Sequence, residues 1–356
     1  MPSPFTSRLL RISQAWLAHT PDAHAALAAL APEPLAGAVA LRWAAALHLL
    51  ALRGLQPWAA LWPPAPQAGD VALQEAIGLA WRTQQPVLQD ALSRPPQTNE
   101  VQRSLALLPG LMWASAATGL PLRLLELGAS AGLNLWCDRY RYETAAWSWG
   151  DADAALCLQG DWRGPAPWLG AAPALRIHDR EGCDANPIDL ARPGQAQRLT
   201  SFIWPDQPDR LLRVSAAATV ATACFAAQGR SLQAQAGAAF LAERLASTAP
   251  GVATVVMHSV VWQYLTPAEQ HGITAAIEAA GARATPDAPL AWLRFEPPAA
   301  DLPVELRCRL WPAGPGLDNG DGCDCPGDTL LALCHPHGAW VDWVHSEYLA
   351  VEPAPP

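Results

Sequence analysis

Glu126, Gly128, Ser130 and Gly132 follow one another at every second position, which brings an acid, a hydroxyl and two residues without side chains into one short stretch. They close the segment Leu122 to Asn134, L-R-L-L-E-L-G-A-S-A-G-L-N. Gly128, Ala129, Ser130, Ala131 and Gly132 are small enough for their backbone N–H groups to come close to a guest. Free N–H groups at a helix N-terminus favour anions and electron-rich atoms. For that chemistry the turn must follow a strand and open a helix. Leu122, Leu124, Leu125 and Leu127 supply the apolar run of a buried parallel strand, and Leu133, Asn134, Leu135 and Trp136 read as the start of a helix. The same small residues would also suit a turn that lets a helix and a sheet pack closely and binds nothing.

Spacing separates the chemistries open to such a turn. A dinucleotide site uses G-x-G-x-x-G, and the positions here hold Gly128, Ser130 and Leu133, a poor fit. A nucleophile elbow uses G-x-S-x-G, which Gly128, Ser130 and Gly132 match literally. The first motif of class I S-adenosylmethionine (SAM) methyltransferases is an acid followed by x-G-x-G-x-G. Glu126, Gly128 and Gly132 match it, with Ser130 in place of the middle glycine. On this third reading Glu126, Gly128, Ala129, Ser130, Gly132 and Asn134 are the cofactor-binding candidates.

A second strand is expected at about Ala174 to Asp179, leading to Asp184, Ala185, Asn186 and Pro187. An acid near the end of the second strand of such a sheet holds ribose hydroxyls; Asp184 takes that role, with Asn186 beside it and Asp179 as the fallback. After a weak third strand at Ser231 to Gln235, only Gln235 is placed to read an adenine amino group. Val252 to Val261 is the clearest later strand. Its His258 is of the residue type that most often serves as a general base, and with Tyr264 it is the catalytic candidate. A hydrogen-bonded core histidine is the competing reading. Strands are also expected at Leu290 to Phe295, with Glu296 at its tip, at Glu305 to Trp311, and as a pair around His335 to Gly338. Asn99, Glu100, Arg103, Arg139, Ser259, Glu296, His335 and His337 complete the candidate pocket, although Thr98 or Asn99 would equally serve as a helix cap.

Two rival chemistries use other residues. Cys323, Cys325, Cys334, His335 and His337 could bind zinc, but the C-x-C spacing is unusual and no metal is assigned. A serine hydrolase would need Ser130, Asp301 and His335 or His337 in that order. Against it, everything upstream of the first strand reads as helical.

Composition limits the rest. The chain has 356 residues, 51% of them hydrophobic and 15% charged, enough for a large core. Its 23 basic residues are all arginine, and the net charge of -9 argues against general phosphate attraction. Arg42, His48 and Arg53 interrupt the most apolar early stretch, so no membrane span is expected and the location is read as cytoplasmic. Residues 1 to 118 read as all helical. Residues 119 to 356 read as a Rossmann-like α/β domain, a mostly parallel sheet with helices on both faces and an insertion at about 143 to 173.

Several stretches together resemble a bacterial family of uncharacterised proteins, a domain of unknown function with a class I methyltransferase-like core. They are T-N-E-V-Q-R-S at Thr98 to Ser104, L-E-L-G-A-S-A-G-L-N at Leu125 to Asn134, D-R-Y-R-Y at Asp138 to Tyr142, F-I-W-P-D-Q at Phe202 to Gln207, H-S-V-V-W-Q-Y-L at His258 to Leu265 and H-P-H-G at His335 to Gly338. The resemblance implies that fold and brings no reaction with it. The expectation is a SAM-dependent methyltransferase with an unidentified acceptor. The alternatives are a noncatalytic interaction or sensing protein of the same fold, or the Ser130 hydrolase.

Overall fold

The computed structural model describes residues 3–30, 39–65, 68–93, 96–168, 174–299, 302–313 and 327–345. The chain forms two compact units, Met1–Thr98 with Leu190–Ser215, and Asn99–Asp189 with Ala216–Pro356.

The first unit is helical. Helices Pro4–Leu17, Val39–Leu52, Trp58–Leu61, Asp70–Thr83 and Gln85–Leu92 bring Leu9, Ile12, Trp43, Leu47, Leu50, Trp58, Leu73, Ile77 and Leu88 into one core. Burying each large apolar side chain stabilises the unit by about 1.5–3 kcal/mol. The sequence boundary at residue 118 differs from this division in two ways. Residues 190–215 belong with the N-terminal helices, because helix Gln195–Ser201 packs on Val39–Leu52 and Asp206 accepts from Ser3 Oγ and Phe5 N. Helix Ser104–Thr118 belongs with the sheet, against which its apolar residues are buried. Helix Pro208–Gln228 is long and apolar enough by composition to cross a membrane, where no such segment was expected.

The second unit is built on a nine-stranded sheet. Its strands, in chain order and numbered with those of a smaller sheet, are β1 (Leu122–Leu127), β2 (Arg141–Glu143), β3 (Ser148–Trp149), β4 (Cys157–Gln159), β5 (Asp161–Arg163), β6 (Ile177–Asp184), β7 (Gln233–Ala234), β8 (Ala253–Ser259), β9 (Leu290–Glu296), β10 (Val304–Trp311), β11 (Asp328–Cys334) and β12 (Trp340–Trp343). The large sheet runs β5-β12-β11-β10-β9-β8-β1-β6-β7 and the small one β3-β2-β4. Strands β7, β6, β1, β8 and β9 are parallel, β10 and β11 antiparallel, so the sheet is mixed. From β1 the chain goes to one side for β6 and β7 and to the other for β8 and β9.

Residues of β8 are all buried, as befits an interior strand covered on both faces. Leu125, Leu127, Val256 and Trp292 pack with Phe240, Leu241, Ile273 and Ile277 of helices Gly237–Arg244 and Pro267–Gly281. Alternation along β1 therefore turns Glu126 to the opposite face, beside helix Ser104–Thr118. The Pro267–Gly281 helix opens with the capping box of Thr266 and Glu269.

The second strand is longer than the sequence suggested, Ile177–Asp184 in place of Ala174 to Asp179, and this puts Asp184 at its carboxyl end. The 143–173 insertion contributes the short strands β3 and β4, and β5 adds to the far edge of the large sheet beside β12.

Candidate functional site

The turn after β1 depends on left-handed backbone, with φ of +62° at Gly128, +55° at Ser130 and +72° at Gly132. A Cβ on Gly128 would lie 2.5 Å from Val261 Cγ2, so a glycine is required there both for its φ and for its space.

Each N–H from Ala129 to Leu133 has a partner inside the protein. Ala129 N donates to Cys183 O at 2.9 Å and Gly132 N to Ala129 O at 2.6 Å. Ser130 N donates to Asp184 Oδ2 at 2.9 Å, and Ala131 N and Leu133 N share Asn99 Oδ1 at 3.3 and 2.8 Å. Asp184 Oδ1 accepts Asn186 N at 2.8 Å, and Ser130 O accepts Ile188 N at 2.8 Å. The chain then enters a 3-10 stretch, Asn134–Arg139, kinked at Trp136. The expectation of open amides at an α-helix N-terminus is corrected accordingly: this turn is closed by two side chains from distant parts of the sequence. Asn99 is no helix cap either. Glu100 caps the short Val101–Arg103 turn, and the Asn99 carboxamide braces the β1 turn.

Glu126 is buried beneath that turn, 3% exposed, and its Oε2 has no hydrogen-bond partner. Burial first, and then the Asp184 charge, push its pKa up to about 8; the Asn134 carboxamide and the Arg103 guanidinium pull the other way. At neutral pH the group is a carboxylic acid able to donate a hydrogen bond. Asn134 Oδ1 accepts from Ser104 Oγ at 3.0 Å, and Asn134 Nδ2 and Ser130 Oγ are buried without partners. Arg103 donates from Nε to Pro336 O at 2.9 Å and from Nη1 to Ser259 O at 2.8 Å. His337 Nδ1 lies 3.5 Å from Glu100 Oε2. One face of the sheet thus gathers Asn99, Glu100, Arg103, Glu126, Ser130, Asn134, Asp184, Ser259 and His337.

His258 lies on the other face. Its Nδ1 is 2.6 Å from Glu296 Oε1, its Nε2 accepts Trp292 Nε1 at 3.0 Å, and its ring stacks on Trp262. The Trp292 N–H marks Nε2 as the acceptor nitrogen, which leaves Nδ1–H to donate to Glu296. Both nitrogens are engaged, and the side chain is 1% exposed. Glu296 Oε1 also accepts Val261 N at 2.9 Å. Tyr264 stands 60% exposed, apart from this pair. Arg139 is exposed and pairs with its neighbour Asp138 at 3.6 Å. Asp179, the fallback, pairs with Arg230 at 2.7 Å. Gln235 donates to Glu243 at 2.8 Å.

His335 Nδ1 accepts His337 N at 3.0 Å, and Cys334 is buried, which pushes its thiol pKa up. Cys323, Cys325 and Asp301 lie outside the described residues. Among the described residues no three His, Cys, Asp or Glu side chains group as metal ligands do.

One element of the site had no signal in sequence. Val260, just after β8, has φ +54°, a genuine outlier for a β-branched residue that holds about 1–3 kcal/mol of strain. It is fixed from both sides: Val260 N donates to Phe295 O at 2.9 Å, Arg103 grips Ser259, and Glu296 grips Val261 N. Position and type alone do not mark a valine for this conformation.

A family profile described as "Uncharacterized protein conserved in bacteria (DUF2332)" matches residues 1–343. Neither the curated proteins nor the solved structures contain a match.

Proposed function

The chain belongs to this bacterial family, and from that premise we propose that it binds SAM at the carboxyl ends of β1 and β6 and transfers the methyl group to an acceptor. The observation that carries the reading is the order β7-β6-β1-β8-β9 of the parallel strands. In chain order of the parallel strands this is third, second, first, fourth, fifth, the arrangement of doubly wound nucleotide-binding sheets. Their ligands sit outside the carboxyl ends of the strands where the order reverses. Here that place holds the Gly128–Gly132 turn, Glu126 and Asp184.

The residues present suit such a guest. Glu126 Oε2, Ser130 Oγ and Asn134 Nδ2 are buried polar atoms without partners, and such atoms call for a ligand or water. In this reading Glu126 and Asn134 would engage the methionine end and Asp184 the ribose. SAM supplies an electrophilic methyl group on a sulfonium sulfur. The chain contributes alignment, which is most of what transfer to a nucleophilic acceptor requires. With both its nitrogens engaged, His258 would act by positioning the Glu296–Val261 corner, and the exposed Tyr264 would be the side chain left to meet the acceptor.

A second reading, a noncatalytic module of the same fold, has its own observation: the turn amides are satisfied by Asn99, Asp184 and the turn itself. The hydrolase reading has only the left-handed Ser130 in its favour, since the Oγ meets no histidine among the described residues.

Thermal unfolding with SAM, S-adenosylhomocysteine and NAD separates these readings. A one-site ligand at about 100 times its Kd adds about 2.7 kcal/mol. A shift with the two adenosyl sulfur compounds alone is expected. No shift with either one leaves the noncatalytic reading, and labelling of Ser130 by a fluorophosphonate would move the assignment to a hydrolase.

A further inference from the structure

A recess opens among the loops that follow β8 and β9 and join β11 to β12. Its volume is about 550 Å³, within the range of clefts that enclose small organic molecules. The wall comes from three connections, after β8, between β9 and β10, and between β11 and β12. Val260 follows β8, Pro297 follows β9, Leu302 and Pro303 precede β10, and Pro336 with Trp340 belongs to the β11–β12 turn.

The wall chemistry selects the occupant. Among the described residues that line the recess no side chain is charged, and the polar side-chain groups are the Gln263 carboxamide and the Trp340 indole N–H. An ion placed there would meet no countercharge among the described lining residues. Prolines and an indole instead offer flat faces to a planar ring. Arg163 lies over Trp340 at 4.8 Å from the ring centre and steadies the indole.

The recess is also a place where strain is held. Val260 is the left-handed valine, kept in that conformation by bonds to the residues before and after it, and such residues cluster at ligand clamps. Leu302, at the wall, leaves 52% of its surface in water, apolar area that an occupant would cover.

We propose that this recess is a binding site for a small uncharged aromatic molecule, held between Trp340 and the proline faces and hydrogen-bonded by the Gln263 carboxamide. The site does not depend on SAM binding at the β1 turn.

Titration with the uncharged fluorophore N-phenyl-1-naphthylamine tests the assignment. The wild-type chain is expected to give a saturable, one-to-one, blue-shifted signal. Ala299→Trp and Leu302→Arg alter exposed lining positions, so the thermal unfolding curve should be unchanged while affinity falls at least tenfold in each. The anionic analogue 8-anilinonaphthalene-1-sulfonate should bind at least tenfold more weakly than the neutral probe. Absence of saturation, undiminished affinity in the two variants, or equal affinity for the sulfonate would overturn the proposal. None of these outcomes bears on the adenosyl reading, whose own test is the shift with SAM.

Discussion

Asp184, at the carboxyl end of β6, accepts the backbone N–H of Ser130 in the turn after β1 at 2.9 Å, and its second oxygen takes Asn186 N. The acid best placed for a ribose therefore also closes the turn, and its removal should be felt with no ligand present. Asp184→Ala is expected to lower unfolding stability by about 1.5–3 kcal/mol, the range for a hydrogen bond to a charged group. Asp184→Asn, which keeps one acceptor, should recover part of the loss. Urea unfolding of the ligand-free protein measures both; an unchanged midpoint in Asp184→Ala would show that the turn stands without it.

Gly128 and Val261 are equally interdependent. Gly128→Ala places a Cβ 2.5 Å from a Val261 methyl group at a φ of +62°. Left-handed backbone at a non-glycine residue adds about 1 kcal/mol of strain or more, and overpacking about 1–3 kcal/mol. A double-mutant cycle with Val261→Ala should relieve the second contribution and leave the first. Additive losses in the cycle would mean that the two side chains do not meet. Because of this packing, Gly128→Val tests folding as much as ligand binding.

Burial raises the Glu126 pKa from an ordinary 4.5 to about 8. Between these values the folded chain holds a proton that the unfolded chain has released. The stability that Glu126 contributes is fully present below pH 4.5 and is lost as pH rises through 8. The steepest slope is about 1.4 kcal/mol per pH unit. Glu126→Gln, which stays neutral, should flatten this part of the stability profile and be the more stable protein at pH 8. A profile with the same slope in both proteins would place the titrating group elsewhere.

His258 connects Glu296 and Trp292. His258→Phe keeps a ring and loses both bonds, leaving Glu296 with Val261 N and stranding the Trp292 indole N–H. The expected loss is about 3 kcal/mol, in the range for a broken buried polar network. A shift in tryptophan emission should accompany it, since Trp262 and Trp292 both contact the imidazole. Wild-type stability with lost activity would instead make His258 a chemical participant.

Much of the framework was legible in the sequence. β1 and β8 announce themselves because a strand covered on both faces is apolar over most of its length, with Glu126 and His258 among the polar exceptions near the carboxyl ends. Thr266, Pro267 and Glu269 carry the start of their helix in three residues. Even the turn after β1 was marked, since only small residues tolerate its φ values. What tertiary structure alone decided is who meets whom. The turn amides are taken by Asn99, 32 positions before Ala131, and by Asp184, 54 positions after Ser130. Glu126, the cofactor-binding candidate, and His258, the catalytic one, lie on opposite faces of one sheet, because each is offset differently from the residues that pack beneath the helices. Local pattern records whether a side chain is buried. Which partner it finds there depends on strand order and register, and those follow from contacts between distant segments.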